Sequence, residues 1–293
     1  MNGATGVAKP PLQQLLQERI LILDGAMGTM IQQAGLSAAD FGGDALEGCN
    51  EMLNLTRPDV IRGIHEAYLE AEYGIADRAR EINLAAVRLA REACDRFSSA
   101  GKPRYVAGSM GPTTKTLSVT GGVTFDALAE AYREQAEALL EGGVDALLVE
   151  TCQDTLNVKA AGVGIRQAFE ALGREVPVMI SGTIEPTGTT LAGQNIEAFY
   201  VSLKHLKPVS IGLNCATGPE LMRDHIRTLA GMADISVSCY PNAGLPDENG
   251  RYHETPESLA TKLRGFAEQG WVNVVGGCCG TTPAHIRAIA EAL

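Results

Sequence analysis

The sequence predicts an α/β fold of the (β/α)₈ TIM-barrel type. From Ile20 onward short β-branched apolar runs alternate with longer stretches of helical period, and no Pro/Gly/Ser-rich linker divides them. Alternation of this kind builds a parallel sheet, because each helix returns the chain to start the next strand in the same direction. A length of 293 residues suits one such barrel, so residues 1–293 are expected to form a single domain.

Strands are expected at 20–24, 105–109, 146–150, 178–183, 210–214, 234–238 and 272–276, the short apolar runs. Helices are expected between them, near 58–71, 77–98, 125–141, 155–172, 195–206, 218–231, 255–269 and 283–292. Start signals are Thr56 with Pro58 and Asp59, Thr155 after Asp154, and Thr282 before Pro283. Gly142, Gly231 and Gly270 mark ends. Strands and helices do not balance. The helix ending near Ala71 runs through Glu72-Tyr73-Gly74 into another helical pattern, with no apolar run where a second strand belongs. A strand and its loop, on the order of twenty residues, would restore the alternation. A closed barrel cannot lose a strand without exposing edges and core, so omission of a mobile segment is favoured over a naturally broken barrel. An abnormal junction between Ala71 and Glu72 is the expected consequence.

Composition narrows the function. Apolar residues at 45% and charged residues at 20% describe an ordinary globular protein. A formal charge of −11 without a Lys/Arg stripe argues against nucleic acid and anionic lipid surfaces as partners. No secretory leader pattern and no apolar run near ~20 residues occurs, so a cytoplasmic protein without membrane contact is expected. Seven cysteines form an odd set in a chain too large to need staples, which leaves reduced thiols as ligands.

In (β/α)₈ barrels the reacting groups sit at the C-terminal ends of strands. Ile211-Gly212-Leu213-Asn214-Cys215 ends one strand and Val275-Gly276-Gly277-Cys278-Cys279-Gly280 another, so three thiols reach one mouth and can converge on a tetrahedral ion. Adjacent Cys278 and Cys279 cannot both face inward on a regular strand; the flanking glycines let the chain curl. Idle core cysteines or a strained disulfide are the alternatives, and spacing alone does not decide. Leu23-Asp24-Gly25-Ala26-Met27-Gly28-Thr29 joins a carboxylate to a glycine-rich turn with free backbone N–H groups, a pattern suited to an amino acid zwitterion or to a simple self-satisfied turn. Glu150 is delivered to the same mouth, for substrate or for a structural ion pair, and Ser181 offers a hydroxyl. The five histidines are scattered and are taken as surface or packing residues.

Together the motifs LDGAMGTMIQ, CNEMLNLTRPDVI, the ET at Glu150, ISGTI, GLNCATGP, PNAGLP and VGGCCGTTPAHI closely resemble the homocysteine-binding domain of cobalamin-dependent methionine synthases. That domain belongs to the zinc-dependent homocysteine methyltransferases, which also include betaine- and S-methylmethionine-dependent enzymes. The likeness runs along almost the whole chain. It implies Cys215, Cys278 and Cys279 as Zn²⁺ ligands, Asp24 and Glu150 as the grip on the amino group of L-homocysteine, and Gly25, Ser181 and Asn214 beside the pocket. It further implies methylcobalamin as a donor carried by another domain, and folate, cobalamin and reactivation modules in a longer protein of which this chain is a fragment. Where the family has a second strand ending in an ETNTF-like motif, this sequence passes from Ala71 to Glu72, which removes part of the expected pocket. Methyl transfer to homocysteine from betaine or S-methylmethionine, and a non-catalytic zinc-binding barrel, are the rival functions.

Overall fold

The computed structural model describes residues 10–23, 27–57 and 78–293. Seven strands are present among them: β1 (Leu21–Ile22), β2 (Ala107–Met110), β3 (Ala146–Cys152), β4 (Val178–Gly182), β5 (Ser210–Asn214), β6 (Ser236–Tyr240) and β7 (Val274–Val275). All pair in parallel, in the order β1-β7-β6-β5-β4-β3-β2. Pairing of the first strand with the last curls the sheet as in a (β/α)₈ barrel, and among the described residues the wall is open between β1 and β2. That seam is where the alternation in sequence lacks a strand. The helix expected at 58–71 and the Ala71–Glu72 junction lie outside the described residues.

The helices are α1 (Leu12–Glu18), α2 (Met27–Gln33), α3 (Ala38–Phe41), α4 (Leu53–Thr56), α5 (Ala79–Phe97), α6 (Phe125–Gly142), α7 (Thr155–Leu172), α8 (Ile196–Leu203), α9 (Pro219–Met232), α10 (Pro256–Glu268) and α11 (Pro283–Ala292). The first four are too short to show a helical period, so sequence pattern does not reveal them. Among the described residues no helix is long and apolar enough to cross a membrane.

Several boundaries differ from the sequence expectation, each for a local reason. The strand expected at 105–109 begins at Ala107, because the Asp145 carboxylate takes the Val106 N–H at 2.7 Å in place of a strand partner. The one expected at 234–238 is Ser236–Tyr240, because Asp234 is held in the preceding turn by the Tyr200 hydroxyl at 2.5 Å. Helix α6 ends on Gly143, whose φ of +93° only glycine adopts readily, one residue past Gly142. Gly231 lies inside α9, which ends at Met232.

Strand alternation sorts the side chains into two layers. Leu147, Val149, Ile180, Ile211, Leu213, Val237, Cys239 and Val275 face the helices and join the main core. Ala146, Leu148, Met179, Tyr240 and Val274 face inward, where Leu12 and Leu16 of α1 join them. The same period turns Glu150, Ser181 and Asn214 inward at the C-terminal strand ends. Outside the sheet, α6 and α7 approach so closely that a Cβ on Gly164 would lie 2.3 Å from the Ala129 carbonyl oxygen. Gly164→Ala should therefore destabilise the chain by about 2–3 kcal/mol through overpacking. An unchanged urea midpoint would contradict this helix contact.

Candidate metal and substrate site

The site is assembled where β3, β4, β5 and β7 give way to loops. Pairing of β3 with β4 shifts register between Val149 and Cys152, and within that irregularity Thr151 adopts a φ of 56°. A β-branched residue is rarely found there, so neighbouring bonds must hold it. Asn214 supplies them. Its Oδ1 accepts the Thr151 N–H at 3.0 Å, and its Nδ2 donates to Thr151 Oγ1 at 2.8 Å. The same Oδ1 accepts the Ser181 hydroxyl at 2.6 Å, and Nδ2 lies 3.9 Å from Cys278 Sγ. Glu150, one residue before Thr151, accepts the Ser109 hydroxyl at 2.5 Å.

Beyond Asn214 the chain turns out of the strand path. Cys215 and Ala216 adopt φ of 60° and 55°, and the Thr217 N–H donates to the Cys215 carbonyl at 2.6 Å. After β7 the Cys278 N–H donates to the Pro241 carbonyl at 2.8 Å, and the Cys278 carbonyl accepts the Thr281 N–H and hydroxyl at 3.0 and 2.7 Å. This turn lies outside the strand, so the two adjacent cysteines escape strand alternation. Gly280, at a φ of +80°, completes it, and a Cβ there would lie 2.3 Å from Cγ of Tyr252, whose ring covers the turn.

The Sγ atoms of Cys215, Cys278 and Cys279 lie within 4.8 Å of one another, and Cys215 and Cys279 are 3.7 Å apart. Metal–sulfur bonds of ~2.3 Å at tetrahedral angles place sulfurs about 3.8 Å apart, so the set fits three corners of such an ion. Hydrogen bonds from Cys278 and Cys279 pull the Cys215 thiol far below its ordinary pKa, against the effect of burial. The proton Cys278 shares with its two neighbours holds that thiol well above its ordinary value. Burial first, then the cysteine charges, push the Tyr252 hydroxyl up to about 12. Asn242 is buried beside Cys215, and its Oδ1 has no hydrogen-bond partner. An orphaned buried amide oxygen is a group that a bound ligand or ion could complete.

Six of the residues singled out in the sequence thus meet at the mouth: Glu150, Ser181, Asn214, Cys215, Cys278 and Cys279. Asp24 and Gly25 lie outside the described residues. On either side of them, Leu23 abuts Gly276, where a Cβ would lie 2.8 Å from its Cβ, and Thr29 Oγ1 accepts the Gly280 N–H at 3.0 Å. Sequence reasoning missed Ser109, Thr151, Tyr240, Asn242 and Tyr252. Tyr240 and Asn242 flank Pro241 at the start of PNAGLP, where their nearness to the cysteines could have been sought. His285 is a packing residue, as expected: its ring bridges the Thr282 cap and the Glu254 carbonyl.

The sequence model of the homocysteine S-methyltransferase family matches residues 21–75 and 70–293. Crystal structures of the homocysteine methyltransferase MmuM from Escherichia coli share the architecture. The apo form aligns at 24% identity with a TM-score of 0.71, covering 97% of this chain and 100% of that one. The metallated form aligns at 25% with a TM-score of 0.72 over the same shares. With the family model spanning nearly all of the sequence beyond residue 20, the chain belongs to the homocysteine S-methyltransferase family.

Proposed function

We propose that the chain binds L-homocysteine and activates its thiol for methyl transfer from methylcobalamin, yielding methionine. The observation that carries this reading is the convergence of three sulfurs beside inward-facing Glu150 and Asn214 at the barrel mouth. Cys215, Cys278 and Cys279 would hold Zn²⁺, whose charge stabilises a substrate thiolate at neutral pH, where a free thiol of pKa ~8.5 is mostly protonated. Glu150, oriented by Ser109, receives the substrate ammonium; the family likeness assigns Asp24 as the second carboxylate and Gly25 to substrate binding. Asn214 keeps Thr151 in its strained conformation and, with Ser181, lines the pocket.

The rim supports a donor carried on another domain. Val119, Leu156, Leu191, Leu221 and Leu245 are 39–51% exposed, all in loops after strands or in the first turns of the helices that follow. Asp154 binds both Ser118 and the Leu156 N–H, and Ala192 donates to the Gln153 carbonyl, so the first three surround the β3–α7 turn. An apolar rim suits transient docking of a cobalamin module, in a longer protein with folate and reactivation modules. A second reading, transfer from S-methylmethionine or betaine by a barrel acting alone, is favoured by the alignment with the whole MmuM chain.

Cys215→Ala should lose zinc and methyl transfer together, and zinc-edge absorption of the parent chain should gain one sulfur neighbour when homocysteine is added. Stoichiometric zinc with full turnover in the variant would sink the ligand assignment, and an edge spectrum unchanged by homocysteine would favour a non-catalytic zinc-binding barrel. Asp24→Asn should keep its zinc and raise the homocysteine Kd about tenfold, the loss of one charge-assisted contact, as calorimetry would read. Turnover assays should give methionine from methylcobalamin and none from betaine or S-methylmethionine; the opposite pattern selects the second reading.

A further inference from the structure

We propose that Tyr252 is a positioning residue for the metal centre: its hydroxyl donates to the Cys279 sulfur and so tempers the charge that this ligand delivers to a bound zinc ion; the inference rests on the zinc reading above. Tyr252 comes from the loop after β6, which is fastened on both sides of it. Before it, the Asp247 N–H donates to the Arg251 carbonyl at 2.9 Å, and the Asp247 carboxylate accepts the Asn249 and Arg251 N–H groups at 2.8 and 2.9 Å. After it, the Glu254 N–H donates to the Ala243 carbonyl at 3.1 Å, the Glu254 carbonyl accepts from His285 Nε2 at 2.9 Å, and the Glu254 carboxylate binds Lys262 at 2.8 Å. The Ala243 N–H in turn donates to the Cys279 carbonyl at 2.9 Å. The ring therefore rests on Gly280, next to Cys279, with its hydroxyl hydrogen-bonded to the Cys279 sulfur.

The other two sulfurs each meet a donor of the same kind. The Asn242 side chain hydrogen-bonds Cys215, and Asn214 Nδ2 lies 3.9 Å from Cys278 Sγ. Each cysteine of the cluster thus has one neutral side-chain donor, and the three donors come from three stretches of chain. Charge gives that arrangement a purpose. A divalent ion held by three thiolates is a net anion, and a fourth thiolate from the substrate would double that charge in a chain whose own balance is −11. Neutral donors spread the charge without cancelling it, which keeps the bound sulfur nucleophilic. A phenol keeps its proton at neutral pH, so the hydroxyl donates and the thiolate accepts, in the charge-assisted class of bond that is roughly twice as strong as a neutral one.

Tyr252→Phe keeps the ring on Gly280 and removes the donor, whereas 3-fluorotyrosine at position 252 keeps both and makes the hydroxyl a stronger donor. Cobalt(II) in place of zinc reports on the sulfurs through sulfur-to-metal charge-transfer absorption, whose energy falls as the ligands become more electron-rich. The band should move to longer wavelength in Tyr252→Phe and to shorter wavelength with 3-fluorotyrosine. Zinc affinity, read by competition with a chromophoric chelator, should fall about tenfold in Tyr252→Phe. A role in packing alone would leave the band at the parent's wavelength. An unmoved band in both altered chains, or movement in one direction for both, overturns the Tyr252 assignment and leaves the zinc reading standing. If Tyr252→Phe fails to fold, the fluorinated chain decides alone: a shorter wavelength supports the bond and an unmoved band overturns it. Absence of a sulfur-to-cobalt band in the parent overturns both readings.

Discussion

A buried primary amide has four hydrogen-bonding positions to fill and rotates freely about none of them once they are filled. Asn214, fully buried, fills its own with the Thr151 N–H, the Thr151 hydroxyl, the Ser181 hydroxyl and a sulfur contact to Cys278. Those partners belong to β3, to β4 and to the loop after β7. One side chain thus fixes the relative positions of three strand ends, and the next residue in the chain is Cys215. An apolar residue of similar size would leave the Thr151 amide and the Ser181 hydroxyl without partners in the barrel interior, at a cost of about 1–3 kcal/mol for each.

Strain is concentrated at the same place. Four described residues other than glycine have positive φ, and three of them, Thr151, Cys215 and Ala216, flank the Asn214 joint. Each such conformation costs of order 1–3 kcal/mol and persists only where its surroundings over-determine it. The Asn214 bonds to Thr151 and the Thr217–Cys215 turn do this. Such a conformation takes the Cys215 sulfur off the strand path, toward sulfurs on a loop that has itself left strand geometry. A regular strand would separate Cys278 from Cys279 across the sheet.

Period-two alternation and the placement of reacting groups at strand ends made most of this legible in the sequence. The cysteines, Glu150, Ser181 and Asn214 were found because each closes an apolar run. Ser109 also closes a run, yet a serine at a strand end carries no chemical signal until Glu150 is seen beside it. Tyr240 was hidden by the two-residue error in β6, which placed it in a loop; once the strand is set at Ser236–Tyr240, the alternation points it inward. Tyr252 lies twelve residues beyond β6 and reaches the site only because Gly280 leaves room for its ring, a long-range contact that no local pattern encodes. The gap in the strand pattern was legible for the opposite reason, because an absence in a strict alternation is itself a signal, and among the described residues no strand lies between β1 and β2. Wall order places the seam between β1 and β2, and the family match breaks at residues 70–75, around Ala71 and Glu72.

Proton sharing among the sulfurs links the site's geometry to its chemistry. Three thiolates within 4.8 Å of one another repel strongly, and in a chain of net charge −11 no general excess of positive charge offsets them. Hydrogen bonds among the sulfurs ease this repulsion, favouring the thiolate at Cys215 and the thiol at Cys278. A cation held by all three would require deprotonated sulfurs, which would tie its affinity to pH. The sulfur separations match those of a tetrahedral ion, so binding one would require little movement of the backbone. The strained turn at Cys215, the Gly280 turn and the Asn214 bonds hold the three sulfurs at separations that suit a tetrahedral ion.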